Sequence, residues 1–226
     1  MPIFILFSLI LVHELGHFIT AMIFHIEVDK IYIYPFGGIS KFNLSLNESL
    51  KKEFLILIMG PLMQLIFSFF LSQLEFFHNY QKLIMVYNYT ILTFNLLPIY
   101  PLDGGKLLNI ILSFHVSFQK SLNMTFLISY FTIFLLSLYF FIHYFSLNVI
   151  IMISFLWYKL KKEESNKNYL FDKFLLERYL NSYQFKRRKK VDDVRDFMRG
   201  RNHLVRSGGR YYTEKEVLYK KFNNKY

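Results

Sequence analysis

Three residues in the first apolar run of this 226-residue chain have the types and spacing to do chemistry: His13, Glu14 and His17, within Val12-His13-Glu14-Leu15-Gly16-His17. Positions four apart on a helix lie one turn apart on one face. Two imidazoles so placed can hold one zinc at ~2.0–2.1 Å each. Glu14, beside the first of them, is placed to take a proton from zinc-activated water. A five-residue pattern alone is weak, but its setting is not ordinary. Residues 1–24 contain no Lys, Arg or Asp, and Glu14 is their only charged side chain. An ionised acid inside a bilayer costs at least ~2.5 kcal/mol, so such residues are rare there and usually functional.

The elements that must carry this pattern are membrane helices. The chain is 54% hydrophobic and 20% aromatic with a mean hydropathy of +0.27, values that point to a membrane protein. It has no cysteine, which excludes a disulfide framework and a thiolate metal site and leaves histidine and carboxylate ligands. The net charge of +11 sits in the last third of the chain. Residues 1–158 carry seven Lys/Arg and seven Asp/Glu, whereas residues 159–226 carry twenty and nine. The composition therefore predicts a membrane domain over 1–158 and a basic tail over 159–226, with the makings of a small α/β domain. Five apolar runs can span: roughly 1–24, 54–77, 83–102, 124–143 and 145–158. The expectation is an all-α polytopic membrane protein of about five spans, with a membrane-edge β-hairpin and a small basic cytoplasmic tail. With the tail inside, 26 of the 27 Lys/Arg fall on the cytoplasmic side, so the N-terminus reads as outside. Residues 1–24 lack the basic region and small-residue cleavage site of a signal peptide.

Between the first two runs, β-branched and aromatic residues flank Pro35-Phe36-Gly37-Gly38, the pattern of a hairpin over 31–42. Its free edge could accept an extended substrate strand, which gives Gly37 and Gly38 a part in substrate handling. Gly60-Pro61 in the second run reads as a packing feature, and Gln64 as a polar group at membrane depth that needs a partner. The third run ends in Asn95-Leu96-Leu97-Pro98-Ile99-Tyr100-Pro101-Leu102-Asp103-Gly104-Gly105, which cannot continue a regular helix. Such a break can deliver Asp103 to a metal, and a catalytic zinc needs a third protein ligand beside His13 and His17. Glu27, Glu48 and Glu53 are alternative third ligands for a peptidase working on cytosolic substrates. The other histidines (His25, His78, His115, His143 and His203) read as interfacial or solvated. In the tail, residues 168–185 have helical spacing, Lys186–Lys190 is suited to anionic lipid, and 206–212 suggests a turn between two strands. Nucleic acid is not an expected partner.

These residues resemble the site-2 protease family of intramembrane zinc metalloproteases. The resemblance rests on His-Glu-Leu-Gly-His in a first span, Gly-Pro in the next, and Asn-x-x-Pro-x-x-Pro-Leu-Asp-Gly-Gly after it. The hairpin and the small size are similar to the sporulation branch of that family. The resemblance implies that His13, His17 and Asp103 bind Zn2+, that Glu14 is the general base, and that Asn95 positions substrate or an oxyanion. It implies cleavage of a membrane-tethered protein near its cytoplasmic boundary, in many cases activating a transcription factor, with regulatory membrane proteins as further partners. Gln64 departs from the family, which often has asparagine after Gly-Pro, and the tail lacks a phosphate-binding Gly-rich motif. A catalytically silent scaffold is the competing reading, against which the intact His/Glu/His/Asp set argues. A metal transporter would need polar residues through several spans, and the last two runs offer almost none.

Overall fold

The computed structural model describes the chain except residues 27, 35, 36, 43, 44, 144, 145, 182 and 224–226; along 28–42 it describes the backbone only. The chain folds into two units. The first contains residues 1–44, 51–97 and 102–107, and the second contains 45–50, 98–101 and 108–226.

The first unit begins with α1 (Pro2–Ile23), which has proline at its first turn, where the missing N–H costs nothing. Ile5, Leu9, His13, Gly16, His17 and Thr20 form its buried face, while Phe4, Phe7, Leu11 and Ile19 point outward. Strands β1 (Val28–Tyr34) and β2 (Gly37–Phe42) pair antiparallel, with Tyr34 opposite Gly37, and their backbone runs beside α1. The expected hairpin is therefore present, although Pro35 and Phe36 of its turn lie outside the described residues. Helix α2 (Leu50–Gln73) contains Pro61, and α3 (Gln81–Asn95) follows a short 3-10 turn over Glu75–Tyr80. Ile5, Leu9, Ile10, Leu71, Ile84 and Ile91 make one apolar core across α1, α2 and α3.

The chain leaves helical structure after Asn95 and resumes it at α4 (Asp103–Ser113). Gly104 is needed there: a Cβ on it would meet the main-chain carbonyls of Leu96 and Leu97. In the second unit the freed backbone of the break is satisfied. The N–H of Tyr100 donates to Ser129 Oγ at 3.0 Å on α5 (Phe118–His143). A polar seam continues beside it, with Asn109 donating to Thr125 at 3.1 Å and Ser113 to Ser121 at 3.0 Å. Hydroxyl and amide pairs of this kind join helices where apolar packing gives no preference.

Among the described residues three helices are long and apolar enough to cross a membrane: α1, α2 and α5, of 22, 24 and 26 residues. At 1.5 Å per residue even α1 is roughly 33 Å long, enough for a ~30 Å core. The other two expected spans differ from their sequence pattern. The run 83–102 becomes α3, only 15 residues long, because Pro98 and Pro101 stop the helix. The run 145–158 becomes α6 (Leu147–Ser165), which continues through Lys159-Leu160-Lys161-Lys162-Glu163-Glu164 and so ends in a charged segment.

The tail is not all helical. Helix α7 (Lys167–Leu180) leads to β3 (Arg188–Val191), β4 (Asn202–Ser207), β5 (Arg210–Thr213) and α8 (Glu214–Asn223). The three strands form one mixed sheet, with β3 parallel and β5 antiparallel to β4. Gly208 and Gly209, at φ 57° and 78°, make the two-residue turn between β4 and β5, a conformation that favours glycine. The expected basic run is thus largely an edge strand. The tail core contains Phe174, Leu175, Phe197, Met198 and Leu218. The backbone N–H of Phe118, at the start of α5, donates to Phe197 O at 2.9 Å, and the Phe118 ring packs on Phe174.

At the centre of the tail, Arg178 is buried and fully occupied. It donates to Asn47 Oδ1, to the carbonyls of Arg201 and Met198, and to both oxygens of Glu214. His203, expected to be solvated, is instead 2% exposed within this network. Its neighbours supply what its ring needs in the interior: a carboxylate on one side and a backbone N–H on the other.

Candidate metal centre

His13, His17 and Asp103 come together in the first unit, all three buried. His13 Nε2 lies 3.0 Å from Asp103 Oδ2, His17 Nε2 lies 3.1 Å from the same oxygen, and the two ring nitrogens are 3.2 Å apart. The i, i+4 spacing on α1 brings the imidazoles together, and the helix that starts at Asp103 brings the carboxylate. The chain has travelled 86 residues from His17 to make that contact.

The far sides of both rings decide what the near sides can do. His17 Nδ1 is 2.8 Å from the main-chain carbonyl of Ile56, which can only accept, so this nitrogen carries the proton. His13 Nδ1 is 2.8 Å from Gln64 Oε1. Gln64 is itself oriented: its Nε2 donates to the Asn88 main-chain carbonyl at 3.2 Å and to Asn88 Oδ1 at 2.9 Å, which leaves its oxygen for His13. With both Nδ1 atoms protonated, neutral imidazoles present lone pairs at both Nε2 atoms. Two lone-pair nitrogens and a carboxylate oxygen then face one another in a buried space with no hydrogen between them. Such an arrangement is repulsive without a cation and favourable with one. Ligands at ~2.0–2.1 Å around a tetrahedral zinc are roughly 3.3 Å apart, close to the separations here, so the donor set fits that metal.

Glycines make the approach possible. A Cβ on Gly16 would lie 2.5 Å from Met59 O, so α1 and α2 meet backbone to backbone at this level. A Cβ on Gly60 would collide with the His17 ring. Gly60, read from sequence as a packing residue alone, therefore also leaves the space that a candidate ligand occupies.

Glu14 is 4% exposed, between the two histidines on α1. Asn95 is buried at the last turn of α3. Gly37 and Gly38 start β2, opposite Tyr34 and Ile33 of β1. Neither Glu48 nor Glu53 joins the His-His-Asp group, the only such group among the described residues; Glu27 lies outside the described residues. Three groups at the site escaped the sequence reading. The Ile56 carbonyl has no side-chain signature. Asn88 lies seven residues before Asn95, on the same face of α3, and that spacing could have flagged it. Lys106 Nζ is 3.5 Å from Asp103 Oδ1, one turn along α4, so the two carboxylate oxygens have different tasks.

With this geometry in hand, known proteins are informative. The profile of peptidase family M50 matches residues 1–81 and 71–139. The chain is 32% identical to stage IV sporulation protein FB of Bacillus subtilis over 240 aligned residues, covering 97% of this chain and 83% of that protein. It is 33% identical to a zinc metalloprotease of Methanocaldococcus jannaschii over 124 residues, covering 52% of this chain and 36% of that one. The solved site-2 protease from the same archaeon shares the fold at a TM-score of 0.57, with 24% identity over 71% of this chain and 76% of the other.

Proposed function

This chain belongs to peptidase family M50, the site-2 proteases, and as such is a zinc metalloendopeptidase of the membrane; we propose that it cuts a membrane-tethered protein near its cytoplasmic boundary. The convergence of His13, His17 and Asp103 at 3.0–3.2 Å, with both rings presenting lone pairs, supports this reading most. These three residues would hold the zinc, whose contribution when bound is Lewis-acid activation of water and of the scissile carbonyl.

The chain's own groups do the rest. Glu14 accepts the proton of the attacking water on its carboxylate and passes it to the leaving amine nitrogen. Gln64 and the Ile56 carbonyl keep the imidazole rings oriented. Asn95 offers its amide N–H to the oxygen that gains charge as the carbonyl is attacked. The β1–β2 hairpin at the membrane edge offers main-chain groups to a substrate unwound into a strand, with Gly37 and Gly38 allowing close approach.

Five crossings follow if α3 with its unwound continuation and the apolar part of α6 accompany α1, α2 and α5. The membrane domain is 1–158 and the tail 159–226, cytoplasmic, with Arg188, Lys189 and Lys190 on anionic lipid at ~1 kcal/mol per residue near the surface. The setting is a bacterial cell or forespore membrane, and the event is regulated proteolysis, such as release of a transcription factor under the control of other membrane proteins. Similarity to a sporulation protein over 97% of the chain supports that setting. The test is cleavage of candidate tethered proteins by the detergent-purified chain. Glu14→Gln should keep its zinc and lose ~10²–10⁴-fold in rate; wild-type turnover by that variant would overturn the mechanism.

A further inference from the structure

We infer that Gln64 and Asn88 are positioning residues for the metal site, acting through His13 by deciding which of its ring nitrogens is a lone pair. The inference rests on the zinc-binding reading of the site above. A neutral imidazole can carry its proton on either nitrogen, and only a bare Nε2 can face Asp103 and His17 as a ligand. Gln64 Oε1, 2.8 Å from Nδ1, holds the proton there. A glutamine by itself does not make that choice. Turned by 180° about its last bond, it would present N–H to Nδ1, drive the proton to Nε2 and close the site to a cation. Two acceptors on one residue oppose that turn: the main-chain carbonyl of Asn88 and its Oδ1, both facing Gln64 Nε2. The flipped amide would set oxygen against both of them.

Burial strengthens the constraint. Gln64 is 0% exposed and Asn88 6%, so water offers neither a ready alternative partner. The relay runs from α3 through α2 to α1, and each link leaves a single orientation for the next. Among the described residues the hydrogen bonds of Gln64 go to His13 Nδ1 and to Asn88, so its effect on the ligand atoms is carried by the His13 ring. The structure thus separates two tasks: α1 supplies the imidazole, and α2 with α3 sets its tautomer.

The test is zinc affinity, measured by chelator competition on the full-length chain purified in detergent. Removing an outer hydrogen-bond partner of a ligating histidine typically costs 10–100-fold, and Gln64→Leu should weaken zinc by about that factor. Gln64→Glu keeps an acceptor at Nδ1 but sets its second oxygen against both Asn88 acceptors, so it should recover only part of the affinity that Gln64→Leu loses. If Gln64→Leu binds normally, the inference is wrong and Gln64 only fills space. Asn88→Ala retains the main-chain acceptor, so it should weaken zinc by a smaller factor. In a Gln64→Leu background it should cost nothing more, because its only route to the metal has gone. Equal losses in both backgrounds would overturn the relay. The Co2+-substituted spectrum of Gln64→Glu and Asn88→Ala, unlike a melting curve, reports ligand geometry in variants that stay folded. Cleavage by the wild-type chain is scored separately: a wild type that binds zinc but cuts nothing defeats the protease reading and leaves the relay standing.

Discussion

His13 and His203 are both buried, both hydrogen-bonded at Nδ1, and opposite at Nε2. At His13 the Nδ1 partner is a neutral amide, and Nε2 is turned toward His17 Nε2 and Asp103 Oδ2, its only hydrogen-bond-distance neighbours among the described residues. At His203 the Nδ1 partner is Glu214 at 2.6 Å, and Nε2 accepts the backbone N–H of Met198 at 3.0 Å. The ring of His203 also lies flat on Phe197, with centroids 4.6 Å apart. His203 is a closed structural group, whereas His13 has a coordination site to spare. The difference lies in what the second nitrogen meets, not in the residue or its burial, and it separates a candidate ligand from a core histidine where composition does not.

The comparison breaks most severely if Asp103 is not a ligand. Asp103→Ala should lose zinc and cleavage together, with turnover down by at least the ~10²–10⁴ of a lost catalytic group, while the tail stays folded. Asp103→Glu keeps the charge and should bind some zinc with little turnover. Zinc per mole of protein beside cleavage measures both, and full zinc in Asp103→Ala would return the third ligand to an open question. The closed site has its own strong test. Arg178→Met leaves Glu214 beside His203 without its buried cation, and removing one member of such a pair typically costs ~3–5 kcal/mol. Unfolding of the tail should move accordingly, and zinc content should not.

Gly60→Ala is a finer probe of the open site. The added methyl must displace the His17 ring, so zinc should weaken by about the 10–100-fold of a misplaced ligand, with modest loss of global stability. Unchanged affinity would mean that the ring moves aside freely. The smallest effect belongs to His203 and pH. Burial pushes its pKa below the ordinary 6.5, and the Glu214 hydrogen bond only partly opposes that. The unfolded chain therefore binds the proton more readily than the folded one. This contribution to stability is present above pH 6.5 and is lost as the pH falls below it toward the folded pKa. Tail unfolding followed between pH 7.5 and 5.5 should show the decline, and His203→Gln should flatten it; an unchanged slope would show that His203 does not set it.

The legible part of the site was the part encoded locally. His13 and His17 share one helical turn, so their spacing was enough to predict that they face one point, and they do. Asp103 was visible because prolines and glycines mark the break that carries it. The orientation of the rings was not visible, because it depends on an amide at position 64, a carbonyl at position 56 and an asparagine on a third helix. Gln64 announced only a need for a partner. In the fold, long apolar helices were plain, but the end of α3 at Asn95 and the charged end of α6 were not, since a hydropathy run does not say where backbone bonding stops. Strand β3, Arg188-Lys189-Lys190-Val191, has neither the alternation nor the composition of a strand. It exists because β4 pairs with it, and pairing is long-range information.

The position of His17 along α1 has a consequence for the solvent around the protein. It lies six residues before Ile23, so roughly 9 Å from that end of the helix at 1.5 Å per residue. Where α1 crosses the membrane with this end at the headgroups, a peptide bond reaching that depth would enter hydrocarbon with its N–H and C=O unpaired until the protein meets them. That distance belongs to the enzyme, but the lipid thickness over it does not. Mismatch costs only fractions of a kcal/mol per Å, yet it acts on α1 and, for the tethered substrate proposed above, on that span alike. Membrane thickness therefore becomes a control on turnover: in vesicles of shorter acyl chains, cleavage should quicken with no change in a single residue.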